Sequence, residues 1–133
     1  MMLLEGLIAI LIFSLGILAL VGLQAMAVKQ VSDAGYRSEA GLLVNQLIGA
    51  MWVGDRTPAA LKTNFKSPDG AAYLAWLGNV SAALPGVTSN KPEVLVNDDG
   101  TVIVSVYWVA PNEVSGTFRH EYKVSAQIKR DKE

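Results

Sequence analysis

The chain has no cysteine and a single histidine among its 133 residues. Without cysteine there can be no disulfide, thiolate nucleophile or cysteine-ligated metal site. A net charge of −1 offers no basic surface, so no nucleic-acid partner is predicted. Glycine-rich phosphate loops, nucleophile elbows and the metalloprotease motif HExxH are missing as well. We therefore expect no cofactor, no metal and no catalytic residues, and the chain is not predicted to be an enzyme.

The few polar residues that could carry chemistry have ordinary structural explanations. His120 occupies an inward position of a predicted strand, where a single histidine is more often structural than catalytic. Asp98 and Asp99 precede Gly100 in a predicted hairpin turn, which favours aspartate, and the further oxygen ligands of a calcium loop are missing. The C-terminal part of the chain is therefore interpreted as a packing and interaction module.

Charge is missing altogether from Gly6 to Val28, directly after Glu5. A helix rises about 1.5 Å per residue, so this run can cross a hydrocarbon layer of about 30 Å. A signal peptide is disfavoured because no Lys or Arg precedes the run and because helix-forming residues continue to about Val53. A plain membrane anchor stays open as an alternative.

Proline is missing before Pro58, which favours one long helix from Met1 to about Val53. At about 1.5 Å per residue it would run about 80 Å, so we expect its apolar part, 1–27, to protrude from a globular domain formed by 28–133. The residues predicted to be buried in that domain are Val31, Leu42, Leu43, Leu47, Val104, Val106, Tyr122 and Val124.

The remainder of the chain predicts short helices followed by a sheet. Thr57 is a candidate N-cap for a helical turn, and a second helix is predicted from Ala71 to Leu84, ended by Pro85 and Gly86. Alternating β-branched residues around 98–100 predict a hairpin, and a third strand follows. Its predicted inward residues are Phe118, His120, Tyr122, Val124, Ala126 and Ile128. The fold class predicted is α+β, with a long protruding N-terminal helix packed on a small antiparallel sheet.

Glu5 is unusual because it stands at the edge of the apolar run. A buried carboxylate is unfavourable unless it is paired, and no Lys or Arg lies within a helical turn. The α-amino group of Met1, in the same chain or in a neighbouring copy, is a candidate partner. Identical carboxylates held at one depth would set the stagger between subunits.

The N-terminal sequence MMLLEGLIAILIFSLGILALVGLQA resembles the mature N-terminus of type IV pilins and pseudopilins. In that class a prepilin peptidase cuts after a glycine, before a motif F-[ST]-L-[IL]-E, and methylates the new amine. Leu3, Leu4 and Glu5 match the motif, whereas Met1 and Met2 replace the usual Phe and Thr or Ser. The resemblance implies a mature form in which the Met1 amine is methylated.

Within this class the chain is most similar to the minor pilins called PilV, the pilus modification proteins. The glycine- and leucine-rich stretch of that group corresponds to Gly16, Leu20, Gly22, Leu23 and Gln24. Many pilins have a helix-breaking proline in this region, so Gly16 and Gly22 are expected to give the helix its flexibility in an assembled filament.

The resemblance implies a structural subunit of a pilus (fimbrium), in a class that serves adhesion, motility, DNA uptake or secretion. Its partners would be other pilin subunits, the prepilin peptidase, the pilus assembly platform and the inner membrane. The subunit would span that membrane once before assembly and then lie in an extracellular pilus or a periplasmic pseudopilus. A major pilin, a type II secretion pseudopilin and an unrelated single-span protein with a periplasmic domain are the alternatives.

Overall fold

A computed structural model describes residues 1–113 and 118–128 of the chain. A long N-terminal helix packs on a three-stranded antiparallel sheet, which confirms the predicted α+β architecture. Gly116 and Thr117 of the predicted last strand, and the charged end 129–133, lie outside the described residues. In chain order the elements are α1 (Met2–Val53), α2 (Pro58–Phe65), α3 (Ala71–Ala83), β1 (Glu93–Val96), β2 (Thr101–Trp108) and β3 (His120–Gln127).

The chain divides into two compact units, Met1–Gly35 and Tyr36–Glu133. The composition places the division earlier, between residues 27 and 28, because charge returns at Lys29. The difference arises because compact units follow contacts rather than composition, and every side chain from residue 1 to residue 32 is exposed.

The first unit consists only of the N-terminal part of helix α1. The helix is continuous through Gly16 and Gly22. The expected flexibility at these two glycines concerns the assembled filament and stays a prediction.

The second unit has one apolar core between its helices and its sheet. Leu43 and Leu47 of α1, and Val104 and Val106 of β2, are buried in it, as predicted. Tyr122 and Val124 of β3 are only partly buried. The α1 residues that enter this core are Ala40, Leu43, Val44, Leu47 and Met51.

The prediction of burial is wrong for two residues. Val31 is 73% exposed and Leu42 is 63% exposed. Successive helix residues are rotated by about 100°, so the narrow buried stripe that includes Leu43 and Leu47 leaves Leu42 on a neighbouring face. Val31 lies in the first unit, outside the core of the second. Phe118, predicted to point inward, is also 63% exposed, because β3 begins only at His120.

The connections follow their predicted chemistry. Thr57 is the N-cap of α2, and its hydroxyl accepts a hydrogen bond from the N–H of Ala60 at 3.4 Å. Helix α3 ends at Ala83, and Gly86 beyond it has a φ of +77°, which favours glycine. The hairpin between β1 and β2 closes with a bond from the N–H of Asn97 to the carbonyl of Thr101, at 2.9 Å.

The strand order is β1-β2-β3, and both pairs are antiparallel. Val104 in β2 lies between Val94 and Val124, and Trp108 lies opposite His120. The even-numbered side chains of β2 are buried in the core. Strand β3 is an edge of the sheet, and along it partly buried side chains alternate with exposed ones.

Candidate functional site

The first unit presents a continuous apolar surface. Its helix is long and apolar enough to cross a membrane, and none of its most apolar stretch is buried. Monomeric soluble proteins rarely expose apolar patches larger than a few hundred Å². Lipid or other protein commonly covers an apolar surface of this length.

Glu5 is the acidic residue in the first turn of this helix. Its N–H donates to the carbonyl of Met1 at 3.2 Å, so the helix is hydrogen-bonded from its first turn. A carboxylate at this position interacts favourably with the helix dipole. Among the described residues no ion pair joins Glu5 to the Met1 amine of the same chain. The carboxylate is thus presented at the helix start, one turn from an amine that it does not contact.

The glycines of the apolar segment have no role within the isolated chain. A Cβ added at Gly6, Gly16 or Gly22 would meet nothing within 4 Å. Each glycine destabilises a helix interior by about 1 kcal/mol relative to alanine. Ser14, in contrast, is satisfied locally, because its hydroxyl donates to the carbonyl of Ile10 at 2.7 Å.

The second unit brings His120 together with a residue that sequence analysis missed. His120 Nε2 lies 2.9 Å from Glu113 Oε2, and the same oxygen accepts from the N–H of Ala110 at 3.3 Å. The imidazole also stacks on the ring of Trp108, with 5.5 Å between the ring centroids. The signal available for Glu113 was the Pro111 turn, which brings the Glu113 N–H within 2.9 Å of the Ala110 carbonyl.

This cluster lies where β2 ends and β3 begins. Arg37 of α1 adds its guanidinium over the Trp108 ring, 5.8 Å from the centroid. Within residues 1–113 and 118–128, no three acidic or histidine side chains come together as a metal site would require. The Glu113 carboxylate and the Trp108 ring thus hold the His120 imidazole on two sides, and its interpretation as a structural residue stays a prediction.

The hairpin aspartates also serve the fold. Asp98 forms an ion pair with Lys62 of α2. Asp99 accepts hydrogen bonds from the N–H and the hydroxyl of Thr101, each at 2.9 Å. Both contacts hold the turn, in agreement with its predicted turn chemistry.

Two aromatic side chains tie α3 to the rest of the second unit. The Trp76 indole N–H donates to the carbonyl of Leu43 at 2.8 Å, and the Tyr73 hydroxyl donates to the carbonyl of Pro92 at 2.7 Å. Burial raises the pKa of the Tyr73 phenol, and the nearby Glu93 carboxylate raises it further. These contacts are structural, so the exposed apolar helix with Glu5 is the feature that requires a functional explanation.

Comparison with protein-family models, with curated proteins and with solved structures finds no match for this chain.

Proposed function

We propose that this chain is a structural subunit of a type IV pilus-like filament, most similar to the PilV minor pilins. Helix α1 would anchor it in the inner membrane before assembly. The observation that carries the proposal is the charge-free apolar run 6–28, in which every residue is exposed and which directly follows Glu5 in the first turn of the helix. The resemblance of the first 25 residues to the mature N-terminus of pilins supports it.

The apolar surface explains why such a chain would pass from lipid to protein. Its side chains need an apolar environment, which the bilayer supplies before assembly and the helices of neighbouring subunits supply afterwards. Contacts that relate each copy to the next by the same rotation and translation do not close, so they generate a filament. The second unit would then form the outer surface.

Glu5 would supply the register of that assembly. Apolar helices slide past one another with little change in buried area, so the hydrophobic effect alone specifies the stagger poorly. A carboxylate removed from water is strongly unfavourable until it meets a positive charge. Pairing with the Met1 amine of an adjacent subunit would satisfy this charge at one stagger and leave it unpaired at others.

Mass spectrometry of the N-terminal peptide, from cells that make the protein, tests the proposal. The expected result is a chain that begins at Met1 with a methylated amine, as the prepilin peptidase would leave it. A mature chain that carries residues before Met1, or an unmethylated Met1 amine, would favour the reading as an ordinary single-span membrane protein.

A further inference from the structure

The two edges of the sheet differ in what lies beside them. At the β1 edge, the N–H of Val94 donates to the hydroxyl of Ser67 at 3.0 Å, and the N–H of Ser67 donates to the carbonyl of Val94 at 3.2 Å. The connection between α2 and α3 therefore occupies the hydrogen-bonding groups that a further strand would need. An added strand cannot pair there without displacing Ser67.

Among residues 1–113 and 118–128, no further segment pairs with the outer edge of β3. The N–H of Ile128 donates to the carbonyl of Gly100 at 2.8 Å, so even-numbered residues of β3 direct their backbone groups toward β2. The odd-numbered residues direct theirs away from the sheet, and no described strand pairs with them. These residues, all exposed, are Glu121, Lys123, Ser125 and Gln127.

The apolar face of β3 is also incompletely covered. Tyr122, Val124 and Ala126 are half-buried, whereas the β2 residues with which they pair are fully buried. Phe118, just before the strand, is exposed. A strand added at this edge would cover part of this apolar surface and pair the open backbone groups.

The charges along the edge favour a second copy of the same strand. In an antiparallel pair centred on Tyr122, Glu121 of each copy lies opposite Lys123 of the other. Centring the pair on Glu121 or on Lys123 instead would place identical charges opposite each other. Neither residue forms an ion pair among the described residues of its own chain. The strand is thus complementary to itself in one register.

We propose that β3 pairs with β3 of a second copy of this chain, antiparallel and centred on Tyr122. The two three-stranded sheets would form one continuous sheet. This contact is closed by a two-fold axis, and Ser67 prevents further strands from adding at the outer edges. It therefore joins only two copies, and it does not depend on the open contacts of the proposed filament.

Disulfide trapping tests the register in the full chain, purified in detergent micelles. The chain has no cysteine, so Glu121→Cys and Lys123→Cys each introduce a single thiol. Directly opposite residues of a hydrogen-bonded pair have Cα atoms about 5.5 Å apart, which suits a disulfide, whereas diagonal neighbours are about 7–8 Å apart. When the two variants are mixed with different tags, we expect the mixed disulfide to exceed either homodimer several-fold. A mixed disulfide no more than about twice as abundant as either homodimer, which is the ratio that random pairing gives, or yields no higher than those of the exposed control Lys91→Cys, would overturn the proposal.

Charge reversal gives a second test, because α1 could also associate in micelles. Glu121→Lys and Lys123→Glu each place like charges opposite each other twice, so each variant alone should show several-fold weaker association by energy transfer between labelled copies. A mixture of the two variants restores both opposite-charge pairs and should recover the wild-type level. Tryptophan fluorescence would show that both exposed substitutions leave the fold intact. Association unchanged by the single variants, raised by them, or not recovered in the mixture would refute pairing through β3.

Discussion

Truncation of Leu47 to alanine tests the placement of helix α1 on the core of the second unit. Leu47 is 2% exposed and lies in the apolar cluster with Val44 and Met51 of the same helix. It also borders an open pocket of about 150 Å³ among α1, α2 and α3, lined in part by Phe65 and Trp76. The substitution removes side-chain carbons from this site and leaves the backbone of the helix unchanged.

The magnitude follows from the carbons removed. Leucine to alanine deletes three carbons, and about 0.8 kcal/mol for each gives about 2.4 kcal/mol. The space left behind adds to this loss, and measured Leu→Ala changes in cores span about 2–5 kcal/mol. Because the neighbouring pocket is open, side chains and water can partly fill the space left behind, so we expect Leu47→Ala to lower the free energy of unfolding by about 2–3 kcal/mol. A domain of this size is stable by about 5–15 kcal/mol, so the change is large.

Urea unfolding of the full chain in mild detergent, followed by tryptophan fluorescence, measures this change. The three tryptophans, at positions 52, 76 and 108, all lie in the second unit and report on it alone. Leu42→Ala is the matched control, because it makes the same substitution in the same helix at an exposed site. Its effect should be within about 0.5 kcal/mol. Equal losses for the two variants, or a larger loss at Leu42, would show that the helix packs on the sheet through a different face.

Tyr73→Phe should lower the free energy of unfolding by about 0.5–1.5 kcal/mol at neutral pH, because the carbonyl of Pro92 loses its donor. The folded-state pKa of Tyr73 is raised, so its contribution is full below its unfolded pKa of about 10 and is lost as pH rises through the folded value. Urea midpoints of wild type and variant should therefore converge at alkaline pH, and a constant difference would contradict this. Gly70→Ala should destabilise by about 1–3 kcal/mol in the same assay, since its Cβ would lie under 3.0 Å from backbone atoms of Asn64 and Lys66. Its control Gly78→Ala, in α3 with open space around it, should stabilise by up to about 1 kcal/mol, and a loss there would argue against that space.

Local sequence signals predicted the elements of the fold well. The long helix follows from the missing prolines and from its helix-forming residues, and it ends at Val53 as predicted. Thr57 as N-cap and Gly100 in the hairpin turn were readable in the same way, because both depend on residues within one turn. The start of β3 was misplaced because Phe118 continues the alternating pattern, although pairing with β2 begins at His120.

Contacts between distant segments were beyond sequence reasoning. Leu42 and Leu43 are chemically identical neighbours, and only the position of the sheet decides which of them is buried. The cover of the β1 edge by Ser67 depends on a bond across 27 positions of the chain. For the candidate site, composition locates the apolar run, and the cost of an unpaired carboxylate suggests the Met1 amine as the partner of Glu5. The methylation of Met1 and the assembly into a pilus come only from the family resemblance.

Incorporation of Glu5 variants into filaments tests the central proposal most directly. Glu5→Ala should remain stable in the membrane fraction, since removing a charge from the apolar segment relieves its desolvation, but it should be depleted at least tenfold from sheared filaments. Ser14→Ala, which also removes a polar side chain from an exposed site of the same helix, is the matched control and should assemble normally. Quantitative mass spectrometry of the two fractions measures both. Wild-type levels of Glu5→Ala in the filament fraction, or no wild-type chain in that fraction, would contradict the proposed role of Glu5 in assembly.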